Sequence, residues 1–238
     1  MDDSASPLLG VLGGMGPLAT VDFLGKLIEE TPAKSDADHI PVVVYSVPQI
    51  PDRPRAILEN GESPLPAMLK GVRTLKQAGA ACIAIPCNTA HYWYDDLVRE
   101  GGLPILHIAD AACAQFNARD IKVDTVGLIA TQGTLAAGFF QERLAARGYR
   151  CLANTAADQV ALVQPAIDYV KRHELAPAHR LAVCAAHNLR QQGAQAVILA
   201  CTEIPPALEY QPTDIGGICI DATRALAQAC VAWWRGQH

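Results

Sequence analysis

The chain has 238 residues, half of them hydrophobic, and a formal net charge of −5. That length fits one large α/β domain or two small ones, with enough apolar material for a full core. The acidic balance and the lack of a Lys/Arg run argue against a nucleic-acid or anionic-membrane partner. No apolar stretch reaches the roughly 20 residues that cross a bilayer.

The chain opens on MDDSASP, which is acidic and lacks the basic start of a signal peptide, so a frayed lead-in is expected there. Apolar runs then recur as expected buried strands: LLGVLGG (8–14), PVVVYS (41–46), ACIAIP (81–86), LPILHI (103–108), VDTVGLIA (123–130), AQAVILA (194–200) and GICI (217–220). Near-continuous apolar character is what a parallel sheet covered on both faces requires. Helices are expected between them, over 17–30, 63–79, 89–100, 110–118, 134–147, 157–173, 176–192 and 222–235. Alternation of strand and helix predicts an α/β fold.

The eight cysteines include no Cys-x-x-Cys pair, which weakens a structural zinc site and a thioredoxin-type redox pair. Cys82, Cys184 and Cys230 sit inside apolar runs, as reduced, buried cysteines of a cytoplasmic protein do.

The sequence also echoes itself. GVLGGMGP (10–17) resembles GLIATQGT (127–134), IAIPCNTAH (83–91) resembles VILACTEIP (197–205), and LHIADAACAQ (106–115) resembles ICIDATRALAQ (218–228). The anchors recur in the same order at nearly constant offset, which predicts two similar α/β domains related by a pseudo-twofold axis, with the active site in the cleft between them. The expected division is 1–110 plus 222–238 for the first domain and 111–221 for the second, the last helix returning to the first.

Cys87 and Cys201 fall at equivalent strand ends, and the carboxyl ends of such strands face the ligand crevice. Each is followed by residues able to cap a helix or bind an anion: Asn88 and Thr89, then Thr202 and Glu203. A helix start near Thr89 would favour thiolate over thiol. Two acid/base groups facing one cleft suit racemisation at an amino-acid Cα. One group removes the proton from one face while the other delivers a proton to the opposite face, and thiols titrate close enough to neutrality for both roles.

These residues carry a resemblance to a known family. GVLGGMGPLAT (10–20), VPQIPDR (47–53), PCNTAH (86–91) and ACTEIP (200–205) resemble the aspartate racemase branch of the aspartate/glutamate racemase family, with weaker matches at GLIATQGT and around Lys171. The resemblance implies a cofactor-independent, metal-free enzyme, often a homodimer, acting on a small-molecule amino acid. It implies Cys87 and Cys201 as the catalytic pair. Asn88, Thr89 and Thr202 would contact the substrate's amino and carboxylate groups. Met15 and Gln49 would lie at the cleft wall, and Thr131 and Thr134 in the equivalent loop of the second half. Arg53 and Lys171 would hold a side-chain carboxylate, for which a guanidinium fork is well suited. The first loop, GGMGP, lacks the acidic residue of the glutamate racemase branch, which favours aspartate or a broad substrate range.

Other readings compete. GMGPLA (14–19) fits a dinucleotide fingerprint, but the acid expected at the end of the next strand is missing. Cys87 and His91 stand four apart and invite a nucleophile–base pair, although His91 reads better as a capping or supporting residue. A related cysteine-dependent isomerase, decarboxylase or hydantoin racemase, and a non-catalytic binder of small acids, complete the alternatives.

Overall fold

A computed structural model describes residues 6–118 and 123–237. The first residues of the acidic lead-in, MDDSA, lie outside the described residues.

The first half runs β1 (Leu8–Gly13), α1 (Pro17–Glu30), β2 (Val42–Ser46), α2 (Arg53–Leu58), α3 (Leu65–Gln77), β3 (Ala80–Ala84), a 3₁₀ turn (Thr89–Trp93), α4 (Tyr94–Gly101) and α5 (Ile108–Ala118). The second runs β4 (Thr125–Ala130), α6 (Gln132–Ala137), α7 (Phe139–Ala145), β5 (Arg150–Ala153), α8 (Ala156–Asp158), a π turn (Gln159–Val163), α9 (Gln164–Lys171), α10 (Leu175–Gln191), β6 (Ala196–Ala200), α11 (Ile204–Glu209), β7 (Cys219–Asp221) and α12 (Ala222–Arg235).

Two parallel sheets result, ordered β2-β1-β3 and β5-β4-β6-β7. A single parallel bridge, Ile83 to Ile105, extends the first sheet beside β3, where β7 stands beside β6 in the second. The two sheets therefore share one strand order. The expected α/β architecture, two parallel sheets flanked by helices, is what the chain adopts.

Several expectations are corrected. LPILHI does not form a strand: only Ile105 bridges, and the chain turns into α5 at Ile108. PVVVYS is a half-exposed edge strand, because only one of its edges is paired in the β2-β1-β3 order. The helix expected over 134–147 breaks into α6 and α7 at Gly138, whose φ of 76° is left-handed. The helix expected over 157–173 contains the π turn. Cys184 is exposed, because the buried face of α10 runs through Ala178, Ala182, Ala185, Ala186 and Leu189. Helix α2 and strand β5 lie outside the expected helices and strands. The signal for α2 was present: Asp52 accepts from the Arg55 amide at 2.7 Å and Pro54 sits in the first turn.

Three apolar cores hold these layers. One packs α3, α4 and the 3₁₀ turn on the outer face of the first sheet, through residues such as Leu12, Met68, Val72 and Ile85. Another packs α9, α10 and α11 on the second sheet, through Ile129, Ile167, Leu189 and Leu199. The third joins the halves: Phe23 of α1, Phe116 of α5, Phe140 of α7 and Leu226 of α12 meet residues of both sheets. Helix α12 packs on α1 and α5. It starts at Asp221, which accepts from the Thr223 amide at 2.8 Å.

An ion cluster also ties α1 to the second half. The Lys26 ammonium, 3% exposed, lies 2.7 Å from Asp22 and 2.6 Å from Asp221. Burial alone would push its pKa down, but the two carboxylates overcome this and hold it above the ordinary lysine value.

Candidate active site

The loop after β1 forms one wall. Gly14 there has φ of 91°, and a Cβ would lie 2.3 Å from the Val47 backbone nitrogen. Only glycine permits this approach, which lets the chain pass under the segment after β2 and presents Met15 to the cleft.

Cys87 follows β3 and Cys201 follows β6, the corresponding strands of the two sheets. Both line one small chamber of about 70 Å³. Met15, Arg53, Asn88, Thr89, Thr131, Lys171 and Thr202 line it too. The chamber adjoins a vestibule of about 810 Å³, walled mainly by apolar side chains such as Leu18, Val21, Ile50 and Leu175. Met15, Asp52, Arg53, Lys171, Thr202 and Glu203 border both spaces. Two expected residues stand elsewhere. Gln49 is exposed and borders neither space, and Thr134 is fully buried behind the wall.

Thr134 belongs to a hydroxyl cluster that joins the halves. Thr89 Oγ1 is 2.8 Å from Thr134 Oγ1 and 3.3 Å from Thr131 Oγ1, while the Thr131 and Thr134 hydroxyls are 3.0 Å apart. Thr131 also caps α6 by accepting from the Thr134 amide.

Asn88 does not cap the 3₁₀ turn that follows it. Its side chain is 3% exposed, and both its amide nitrogen and its amide oxygen lack a partner. Burying such groups unpaired is costly, so a donor and an acceptor stand ready for a ligand. Arg53 donates Nη1 to the carbonyls of Ile50 at 3.1 Å and Pro51 at 3.0 Å, which fixes the guanidinium and leaves its buried Nε unpartnered.

Helix α2, which carries Arg53, is held against the second half at Gly133. A Cβ at Gly133 would lie 2.8 Å from Pro54 Cα. Gly133→Ala is therefore expected to displace Arg53 and lower kcat/KM about 10- to 100-fold, with an intact circular dichroism spectrum. Unchanged kinetics would show that the Arg53 position does not matter.

The thiols are 6% and 3% exposed, for Cys87 and Cys201. A bias toward thiolate was expected from the following helix start; burial outweighs it, and both pKa values lie above the ordinary cysteine value. At Cys87 the Arg53 guanidinium and the Ala90 amide pull against burial. At Cys201 the Glu203 carboxylate adds to it. Glu203 was read from sequence as a possible cap, but it makes no cap bond; its Oε2 accepts from Cys201 Sγ at 3.1 Å. The sequence put the carboxylate beside the cysteine but gave no sign of which way it turned.

His91 does not touch the Cys87 sulfur. The Ile108 amide donates to Nε2 at 3.2 Å, so Nδ1 carries the proton and donates to the Cys87 carbonyl at 2.9 Å. Burial lowers its pKa to about 4, so His91 is neutral near pH 7 and supports the thiol loop through its backbone.

Among the described residues, no group of three His, Cys, Asp or Glu side chains is placed to hold a metal ion, and no helix is long and apolar enough to cross a membrane.

Comparison with known proteins agrees with this fold. Residues 12–230 match the family model described as Asp/Glu/Hydantoin racemase. The chain is 26% identical over 231 residues to a broad specificity amino-acid racemase, RacX, of Bacillus subtilis (strain 168), spanning 94% of this chain and 97% of that one. Its structure is similar to Picrophilus torridus aspartate racemase, with 30% identity, a TM-score of 0.83 and coverage of 96% and 94% of the two chains. It shares its fold with glutamate racemase from Francisella tularensis subsp. tularensis SCHU S4, at 16% identity and a TM-score of 0.70 over 98% and 82% of the chains. The family model spans most of the chain and the two-sheet α/β fold is shared with these racemases, so the chain belongs to the Asp/Glu/hydantoin racemase family.

Proposed function

We propose that this protein interconverts L- and D-aspartate, with glutamate as the second candidate substrate, by a two-thiol acid/base mechanism that uses no pyridoxal phosphate and no metal. The observation that carries this reading is the single chamber lined by Cys87 and Cys201 from equivalent loops. A planar carbanion held between them would receive its proton from either face. The unpaired amide of Asn88 offers both a donor and an acceptor, as the carboxylate and ammonium of an amino acid require. Thr89, Thr131 and Thr202 add hydroxyls at the same wall, and Arg53 and Lys171 supply positive charge for a side-chain carboxylate. The chamber is small beside the vestibule, about 70 Å³ against about 810 Å³. It suits the reacting centre, with the side chain directed toward Arg53 and Lys171 where the vestibule begins. The division proposed is 1–110 plus 222–238 and 111–221; α12 packs both on α1 and on α5, the helix that crosses the boundary between the two parts.

The test is exchange of the Cα proton in D₂O, followed by proton NMR with chelator present. L-aspartate, L-glutamate and a panel of neutral amino acids would be compared. Aspartate is expected to exchange fastest, with D-aspartate appearing. Exchange confined to neutral amino acids would remove the carboxylate-holding role of Arg53 and Lys171. No exchange with any of them would remove the racemase reading and leave a decarboxylase, another isomerase or a binding protein.

A further inference from the structure

The two thiols are equivalent by topology but not by surroundings. Two residues beyond Cys87 stands Thr89, whose hydroxyl is engaged by Thr131 and Thr134. Two residues beyond Cys201 stands Glu203. Its Oε2 accepts from Cys201 Sγ at 3.1 Å and from Thr202 Oγ1 at 3.1 Å. The pseudo-twofold arrangement is broken at this position by a carboxylate on one side. Cations break it further: the Arg53 guanidinium on α2 acts on Cys87, and the Lys171 ammonium on α9 acts more weakly on Cys201. Asp52 also borders the chamber. Cys201 is almost wholly buried, whereas Glu203 is partly exposed and borders both chamber and vestibule.

We infer that Glu203 is a third acid/base member of the site, holding the proton on Cys201 and linking that buried thiol to solvent through the vestibule. This rests on the two-thiol reading. The free site then stores its proton on Cys201 and develops its thiolate at Cys87 beside Arg53. In one direction the Cα–H bond breaks and the proton passes to the Cys87 thiolate. The Cys201 S–H bond breaks and its proton forms the new Cα–H bond on the opposite face. Cys87 is left as thiol and Cys201 as thiolate, with no net change in charge. The Cys201 thiolate now lies against a carboxylate, the less favourable arrangement. A solvent proton passed by Glu203 restores Cys201, and Cys87 returns its proton to solvent. Burial raises both thiols, but the Glu203 carboxylate adds to the rise chiefly at Cys201.

The test needs no turnover, so its failure is distinct from failure of the racemase reading. The protein is alkylated with iodoacetamide across pH 7–11.5, and each cysteine is followed by peptide mass spectrometry; a thiol still climbing at the top of the range is scored as having the higher midpoint. In the native chain the midpoint for Cys87 is expected to lie below that for Cys201. Glu203→Gln, which keeps an acceptor oxygen but removes the charge, is expected to lower the Cys201 midpoint and leave Cys87 much less altered. Each unit of downward shift raises the thiolate fraction tenfold and lowers its nucleophilicity about threefold, so the rate gain is about threefold per unit. A Glu203 carboxylate turned away from the sulfur would leave the midpoint unmoved. A native Cys201 midpoint at or below that of Cys87 overturns the proposal, and so does an unmoved Cys201 midpoint in a folded Glu203→Gln protein. Should that variant not fold, the order of midpoints in the native chain decides.

Discussion

Cys87→Ser is expected to lower racemisation about a thousandfold in both directions, and Cys201→Ser to do the same. A hydroxyl ionises far less readily than a thiol, so neither the base role nor the rapid return of a proton survives the change. In a two-thiol site each cysteine serves both directions, as base for one enantiomer and acid for the other. Each single variant keeps one thiol, which can still remove the Cα proton from one face. Residual solvent exchange without inversion is therefore expected for one enantiomer in Cys87→Ser and for the opposite enantiomer in Cys201→Ser. Chiral chromatography gives the racemisation rate, and NMR in D₂O gives the exchange. Cys230→Ser is the control: Cys230 is fully buried in the central core, away from the chamber lining, so it tests stability without touching the thiol pair. Full racemisation by either single variant would show that its cysteine is not part of the chemistry.

Lys26→Ala is expected to destabilise the fold by about 3–5 kcal/mol, because it leaves the 10%-exposed Asp221 carboxylate without its counter-charge. The loss is read from the urea midpoint. Asp221 also starts α12 through its bond to the Thr223 amide, so the same change loosens the helix that spans the central core. Asp221→Asn keeps that acceptor while removing the charge. Combined with Lys26→Ala, it is expected to recover part of the loss, with a coupling above about 1 kcal/mol. Strict additivity would show that the pair does not interact. The pH dependence has a definite sign. The folded ammonium has a raised pKa, so its stabilisation is complete below the unfolded lysine value of about 10.4 and is lost as pH climbs through the folded value.

Much of the chamber's lining was legible in the chain. Nine of the eleven residues expected there line the chamber: Cys87, Cys201, Met15, Arg53, Asn88, Thr89, Thr131, Lys171 and Thr202. The repeat made this possible, since two copies of a strand ending in cysteine fix equivalent points on two sheets. Gln49 and Thr134 fell outside for different reasons. Gln49 sits on a turn whose side chain directions follow no period. Thr134 lies one helical turn into α6, so its hydroxyl turns inward to Thr89.

The sequence by itself determined the α/β class, the parallel strands, the duplicated halves and the paired cysteine loops, because apolar periodicity and repeated local motifs are properties of neighbouring residues. Tertiary structure alone decided what surrounds each thiol. Arg53 comes from α2 to Cys87, Gly133 admits Pro54 from the other half, and Glu203 turns its carboxylate onto Cys201 instead of capping α11. The balance of charge and burial at a buried sulfur depends on groups brought from distant elements, and on side-chain directions that packing selects. No local pattern encodes that balance, and it is what makes two topologically equivalent cysteines chemically different.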